Sequence, residues 1–196
     1  MKKIKNKKDS IKKELIAGKK YLIESIPYII SIIGIFILSS IIGFIFTDKL
    51  SFLDSLLKQI IDKTENLSSL ELIIYIFVNN LWSALTGFLG GIALGILPVL
   101  NALLNGTILG YVFSRLHKIT GFQDFWRILP HGIFELPAIF ISLGIGLKLG
   151  LFIFSKKPIA ELKYRIMNGL RVFFLIVLPL LLVAAIIEGL LIAYYK

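Results

Sequence analysis

Leu72 to Ser114 reads LIIYIFVNNLWSALTGFLGGIALGILPVLNALLNGTILGYVFS, 43 residues between Glu71 and Arg115 without one charged side chain. A helix crossing a membrane needs about 20 residues, so the stretch is two spans joined without a polar loop. The Gly/Pro punctuation near its middle, Gly95-Ile96-Leu97-Pro98, is where the chain turns. The second half, Pro98 to Ser114, is short for a span. Either it crosses fully with the turn inside the bilayer, or it is partly re-entrant. Backbone at that depth must be covered by protein or face water, because lipid offers it no hydrogen bonds.

Working outward, the whole chain has the same character. Of 196 residues, 57% are hydrophobic and 17% charged, with a mean hydropathy of +0.86. A soluble domain would be near 45–50% apolar and about a quarter charged. The apolar stretch Ile26 to Phe46 lacks a small-residue cleavage site, so it reads as a first span rather than a leader. Ser68-Ser69-Leu70-Glu71 is a capping box that starts the second. A fourth runs from His131 to about Phe154 and a fifth from Val172 to Ala193. The fold class is therefore all-α: a polytopic membrane protein with about five transmembrane helices and amphipathic interfacial helices.

Three segments supply the interfacial helices. In residues 51–63, Phe52, Leu53, Leu56, Leu57, Ile60 and Ile61 interleave in pairs with polar residues, and Ser51 is the expected N-cap. This helix lies flat on the outer leaflet or packs on a partner. A second runs from Pro158 to about Gly169. From Ser10 onward the Lys-rich N-terminus is either a short basic helix on the inner surface or a solvated tail. The chain divides into a basic segment, 1–20, and one membrane-embedded bundle, 21–196.

A net charge of +10 would suggest nucleic acid in a soluble protein, but nine lysines fall within the first 20 residues, where they act as a topology signal. With the N-terminus cytoplasmic, the inner segments 1–20, the Gly95–Pro98 turn and 155–171 hold nine, zero and five Lys/Arg; the outer loops 47–70 and 115–129 hold three each. The bias places the chain in the cell membrane, N-terminus in and C-terminus out, with Lys148 snorkelling to the inner side. No partner nucleic acid is expected.

Small residues recur every fourth position: Asn79, Ser83, Gly87, Gly91, Gly95; Ala102, Gly106, Gly110, Ser114; Ala138, Ser142, Gly146, Gly150; Ala185, Gly189, Ala193. Apolar burial cannot drive helices together in lipid, so small faces that admit close backbone contact do. The contact is within the chain or across a homodimer or other membrane complex.

The polar residues inside the spans are Asn79, Asn80, Asn101, Asn105, His131, Glu135 and Glu188. His131 and Glu135 are one helical turn apart on one face, behind Pro130, and Asn101 and Asn105 likewise share a face. The simplest construction joins these faces in the bundle centre, where amides satisfy the carboxyl and imidazole. Such a centre is a register-fixing hydrogen-bond network or a path for an ion, proton or solute.

Catalysis is not expected. Two histidines and no cysteine leave no His-Glu-x-x-His and no thiolate site, and neither a Walker loop nor a Gly-x-Gly-x-x-Gly loop is present. No metal or other cofactor is implied.

Asn79-Asn80, Gly87, Gly90-Gly91, Gly95, Asn101, Asn105-Gly106, Gly110, Pro130-His131-Gly132-x-x-Glu135-Leu136-Pro137-Ala138 and Gly144-x-Gly146, in this order, resemble the stage II sporulation protein M family. The motif-dense part is about 79–150, and the resemblance implies the five-helix layout over most of the chain. It adds Gly106 and Gly132 to the candidate functional residues. In sporulating bacteria the family member belongs to a membrane complex with peptidoglycan-degrading partners, so the resemblance implies a non-enzymatic scaffold or subunit that positions partner proteins. A conduit for a small solute or ion is the alternative.

Overall fold

The computed structural model describes the backbone of residues 2–121 and 129–195, and the side chains of 12–121, 132–188, 190 and 191. Every regular element in it is helical. α1 runs unbroken from Lys2 to Ile45 and takes Pro27 inside it, so the basic segment and the first span are one helix. A 3-10 turn, Thr47–Leu50, leads into α2, Leu53–Thr64. Ser51 is not its cap. An N-cap needs extended backbone, and the chain is already coiled at Ser51, with φ −57° and ψ −21°. Phe52 precedes α2 instead, without a capping hydrogen bond.

Ser68, by contrast, is extended and makes the expected capping box with Glu71, opening α3, Ser69–Leu89. A 3-10 turn, Gly90–Ile92, and two left-handed residues, Leu94 at φ 58° and Gly95 at φ 74°, reverse the chain into α4, Ile96–Thr120. Pro98 falls in the first turn of α4, where helical N–H groups have no intrahelical acceptor anyway. α4 does not stop at Ser114. It continues past Arg115, His117 and Lys118 to the left-handed Gly121, which gives it 25 residues. The short-span difficulty came from treating the first charge as the helix end.

α5 spans Leu129–Gly150, with Pro137 inside, and closes in a 3-10 turn, Leu151–Phe154. α6, Pro158–Val172, does not break before the last span. A π-helical turn, Phe173–Val177, joins it directly to α7, Leu178–Tyr195. Pro179 cannot donate to the carbonyl one turn behind it, and the widened turn sits where that bond is missing. Among the described residues, five helical stretches are long and apolar enough to cross a membrane: 12–45, 69–92, 96–120, 132–154 and 158–188.

α5 is the most enclosed of them and touches α1, α3, α4, α6 and α7. Leu143, Ile145 and Leu149 of α5, Phe88 of α3 and Phe173 of the π-turn are almost wholly buried around it. α4 runs along α1, while α3 runs along α5 and α7. Consecutive helices α3 and α4 meet far less. Two seams show why. On α4, a Cβ at Gly106 would collide with the Phe36 carbonyl of α1, and one at Gly110 with the Ser40 carbonyl. On the other seam, Gly91 and Gly146 each leave no room for a Cβ against the facing backbone, and Gly150 lies against Gly91 and Gly95. Ser142 Oγ donates to the Ala84 carbonyl at 2.7 Å across it. Ala185 is buried; the side-chain positions of Gly189 and Ala193 lie outside the described residues.

Candidate functional site

α5 enters the bundle at Leu129 and carries Glu135 six residues in, a rise of about 9 Å. α3 carries Asn79 and Asn80 near its midpoint. Asn80 is only 8% exposed, and it lines the same two cavities as Glu135. Asn79 is exposed on the outside of the bundle.

Two cavities meet at these three residues. The first, of about 240 Å³, is a lateral cleft between α3 and α4 with α5 at its floor. Asn79, Asn80 and Ser83 line one wall, Asn105, Ile108 and Val112 the other, and Glu135 the floor. The second, of about 300 Å³, lies beneath the end of α2, between Ile60 and Thr64 of α2, Tyr75 of α3 and Glu188 of α7. Glu188 lines this cavity together with Glu135, and its Oε2 is buried without a hydrogen-bond partner among the described residues.

The asparagine pair of α4 does not close over Glu135. Asn105 Nδ2 donates to the Asn101 carbonyl at 2.9 Å and to Asn101 Oδ1 at 2.8 Å, and Asn101 Nδ2 donates to Ser83 Oγ at 3.1 Å. Because α4 leans on α1, only Asn105 reaches the cleft that Glu135 floors. The buried amide that shares both cavities with the carboxyl is Asn80. Gly106 lies in the α1–α4 seam, away from the polar centre. Gly132 is no close-approach position, since a Cβ there would meet only the Leu136 side chain, at 3.4 Å. His131 is helical, but its side chain lies outside the described residues.

Two polar clusters went unread in the sequence. At the α2 end, the Tyr111 hydroxyl donates to Asp54 at 2.6 Å, Arg115 pairs with the same carboxylate, and Lys118 donates to Asp48 at 2.7 Å. The Tyr111 hydroxyl, reinforced by Arg115, holds the Asp54 carboxyl below its usual range, and the Lys118 hydrogen bond and charge do the same for Asp48. At the opposite end, Lys148 does not snorkel. It is 7% exposed, with Nζ 3.3 Å from Glu24 and 3.8 Å above the Tyr21 ring. Its own carbonyl accepts from Arg165, which also pairs with Glu161. These contacts join residues 57, 61 and 124 positions apart, and no local pattern announces them.

Chemically the centre is a polar crevice: two carboxyls, three amides and three hydroxyls in two joined spaces. No group of three His, Cys, Asp or Glu placed to hold a metal occurs among the described residues. The family model described as Stage II sporulation protein M matches residues 32–191. The chain is also similar to the Uncharacterized protein MJ0706 of Methanocaldococcus jannaschii, 29% identical over 202 residues that cover 96% of this chain and 88% of that protein. No solved structure matches it.

Proposed function

The chain belongs to the stage II sporulation protein M family, and on that premise we propose that this multi-pass membrane protein is a non-enzymatic subunit that positions partner proteins. The parting of α3 from α4 carries the reading. It leaves the Asn79 and Asn105 side chains exposed at the middle of helices long enough to span. Lipid cannot hydrogen-bond amides, and a neighbouring protein can. Purification in mild detergent tests this. The expected result is a reproducible partner that Asn79→Leu and Asn105→Leu release while the bundle still elutes normally. A wild-type chain that purifies alone from its native membrane would overturn the reading. Cell-wall hydrolases among the partners would fit the process that the family resemblance implies.

The proposed orientation has the N-terminus cytoplasmic and the α2 end outside, in the cell membrane. The chain contains no cysteine, so single-cysteine labelling is clean. On whole cells an impermeant thiol reagent should label Ser55→Cys and spare Lys157→Cys; the reverse pattern inverts the topology.

A second reading, a conduit for a small solute or ion, is favoured by the two cavities that share Asn79, Asn80 and Glu135. It predicts cation or solute flux in proteoliposomes that Glu135→Gln reduces. Equal flux in wild type, Glu135→Gln and protein-free vesicles removes it.

A further inference from the structure

The lateral cleft differs from an ordinary lipid-facing groove in its donor and acceptor balance. Asn105 spends its amide hydrogens on Asn101, and Asn101 donates to Ser83. The Oδ1 of Asn105 is left to accept. Glu135 shares the cleft with Asn80, and a carboxyl has room for more than one donor. No Lys or Arg lines the cleft among the described residues. The walls therefore offer amide donors as well as acceptors, and the group left without a cationic match among the described residues is the carboxyl at the floor. An acidic group within a span is costly and is normally matched by a partner or by water.

The shape limits what can match it. A helix is about 10–12 Å across with its side chains, too wide for a space of about 240 Å³. A single side chain fits, delivered by a helix lying along the open mouth between α3 and α4. A second copy of this chain does not supply that side chain. Its described Lys and Arg residues within the spans sit near the helix ends or, like Lys148, are buried in a pair of their own.

We propose that the α3–α4 cleft receives one transmembrane helix of a partner protein, which inserts a basic side chain toward Glu135 between Asn79 and Asn105. The proposal rests on the subunit reading above and names the chemistry of the partner. Association within lipid would then depend on one charge-matched contact at mid-span, with the surrounding small and apolar residues of the two helices supplying fit.

The test uses the full-length protein in phosphatidylcholine vesicles, labelled with a donor fluorophore at Lys157→Cys. The probes are acceptor-labelled polyleucine helices of about 22 residues with Lys, Leu or Glu at the centre. The Lys helix should bind about tenfold more tightly than the Leu helix, or by about 1.4 kcal/mol, and the Glu helix no better than Leu. Glu135→Gln should abolish the preference. Glu135→Asp, which keeps the charge, and Glu188→Gln, which lies outside the cleft, should retain it. Equal binding of the three helices would overturn the proposal. So would a Lys preference that survives Glu135→Gln, or energy transfer between labelled copies that the Lys helix cannot compete. If the peptide test fails while native partners still co-purify, the cleft proposal falls and the subunit reading stands on other surfaces. If no partner co-purifies, the subunit reading falls whatever the peptides do.

Discussion

Along the α1–α4 and α3–α5 seams a single added methyl group would strike backbone, whereas between α3 and α4, neighbours in sequence, there is open space of about 240 Å³. The two regions are written by one spacing. The stripe Asn79, Ser83, Gly87, Gly91, Gly95 starts on α3, passes through the 3-10 turn to the reversal, and changes use midway. Its glycine half is buried against α5, and its polar half borders the cleft. Glycine lets backbones touch, which is how helices associate where hydrophobic burial gives no drive. Ser83 joins α3 to α4 at one point by accepting from Asn101, and Asn79 is left exposed beside the cleft. A small-residue repeat thus marks close backbone contact where it is glycine, while its serines, Ser142 and Ser83, join helices by hydrogen bonds.

The strongest way to break this comparison is to fill the closed side. Gly91→Leu should cost more than about 3 kcal/mol, above the usual range for overpacking because backbone rather than a mobile side chain is in the way. Detergent-solubilised protein should aggregate or melt far below wild type. Gly34→Leu is the control: a Cβ there meets nothing within 4 Å, and the variant should behave normally. If both elute and melt alike, the seam is not closed.

A smaller effect is expected where the closed side meets its charged end. Lys148→Met keeps the bulk of the side chain but removes the partner of Glu24 and the cation over Tyr21. Stranding a buried charge is strongly destabilising, but the Glu24 side chain is 39% exposed and keeps water. A loss of about 1–3 kcal/mol in thermal or denaturant unfolding is expected. A variant more stable than wild type would mean the pair does not hold α1 to α5.

The open side has its own tether, and pH should loosen it. Asp54 is held below its ordinary value by Tyr111 and Arg115. A carboxyl depressed in this way stabilises the folded state fully above its unfolded pKa, and that support is lost as pH falls through the lowered folded value. Between pH 7 and 5, cleavage of α2 at Lys58 or Lys63 by an acid-tolerant protease should be slow and constant. It should accelerate toward pH 3, and Asp54→Asn should be fast throughout. Identical pH profiles for the two proteins would show that α2 is held by something else.

Much of this was legible. The uncharged run from Leu72 to Ser114 and the Gly95 reversal gave two spans, and Ser68 with Glu71 located the start of one. Helix ends were less so. Arg115 and Lys118 look like loop in a hydropathy reading, yet they lie in the last turns of α4, where they pair with Asp54 of α2 and Asp48 of the preceding 3-10 turn. The polar centre was half legible. Asn80, Glu135 and Glu188 stood out as expensive residues, and they do gather. What the spacing could not give is which helices adjoin. Pairing Asn101/Asn105 with Glu135 assumed that α4 faces α5, whereas glycines 106 and 110 commit it to α1.

The smallest effect is the most discriminating. Asn105 is exposed, and both of its hydrogen bonds run to Asn101 one turn away on the same helix. They tie α4 to nothing else. Membrane hydrogen bonds average well under about 1 kcal/mol even between helices, so Asn105→Leu should change the stability of the isolated protein by less than about 0.5 kcal/mol in either direction. Thermal unfolding in detergent measures this directly. Asn101→Leu, which breaks the bond to Ser83 of α3, should cost more. If Asn105→Leu proves the more damaging of the two, the amide is holding the bundle together, and the cleft is a structural joint instead of a surface kept open for a partner.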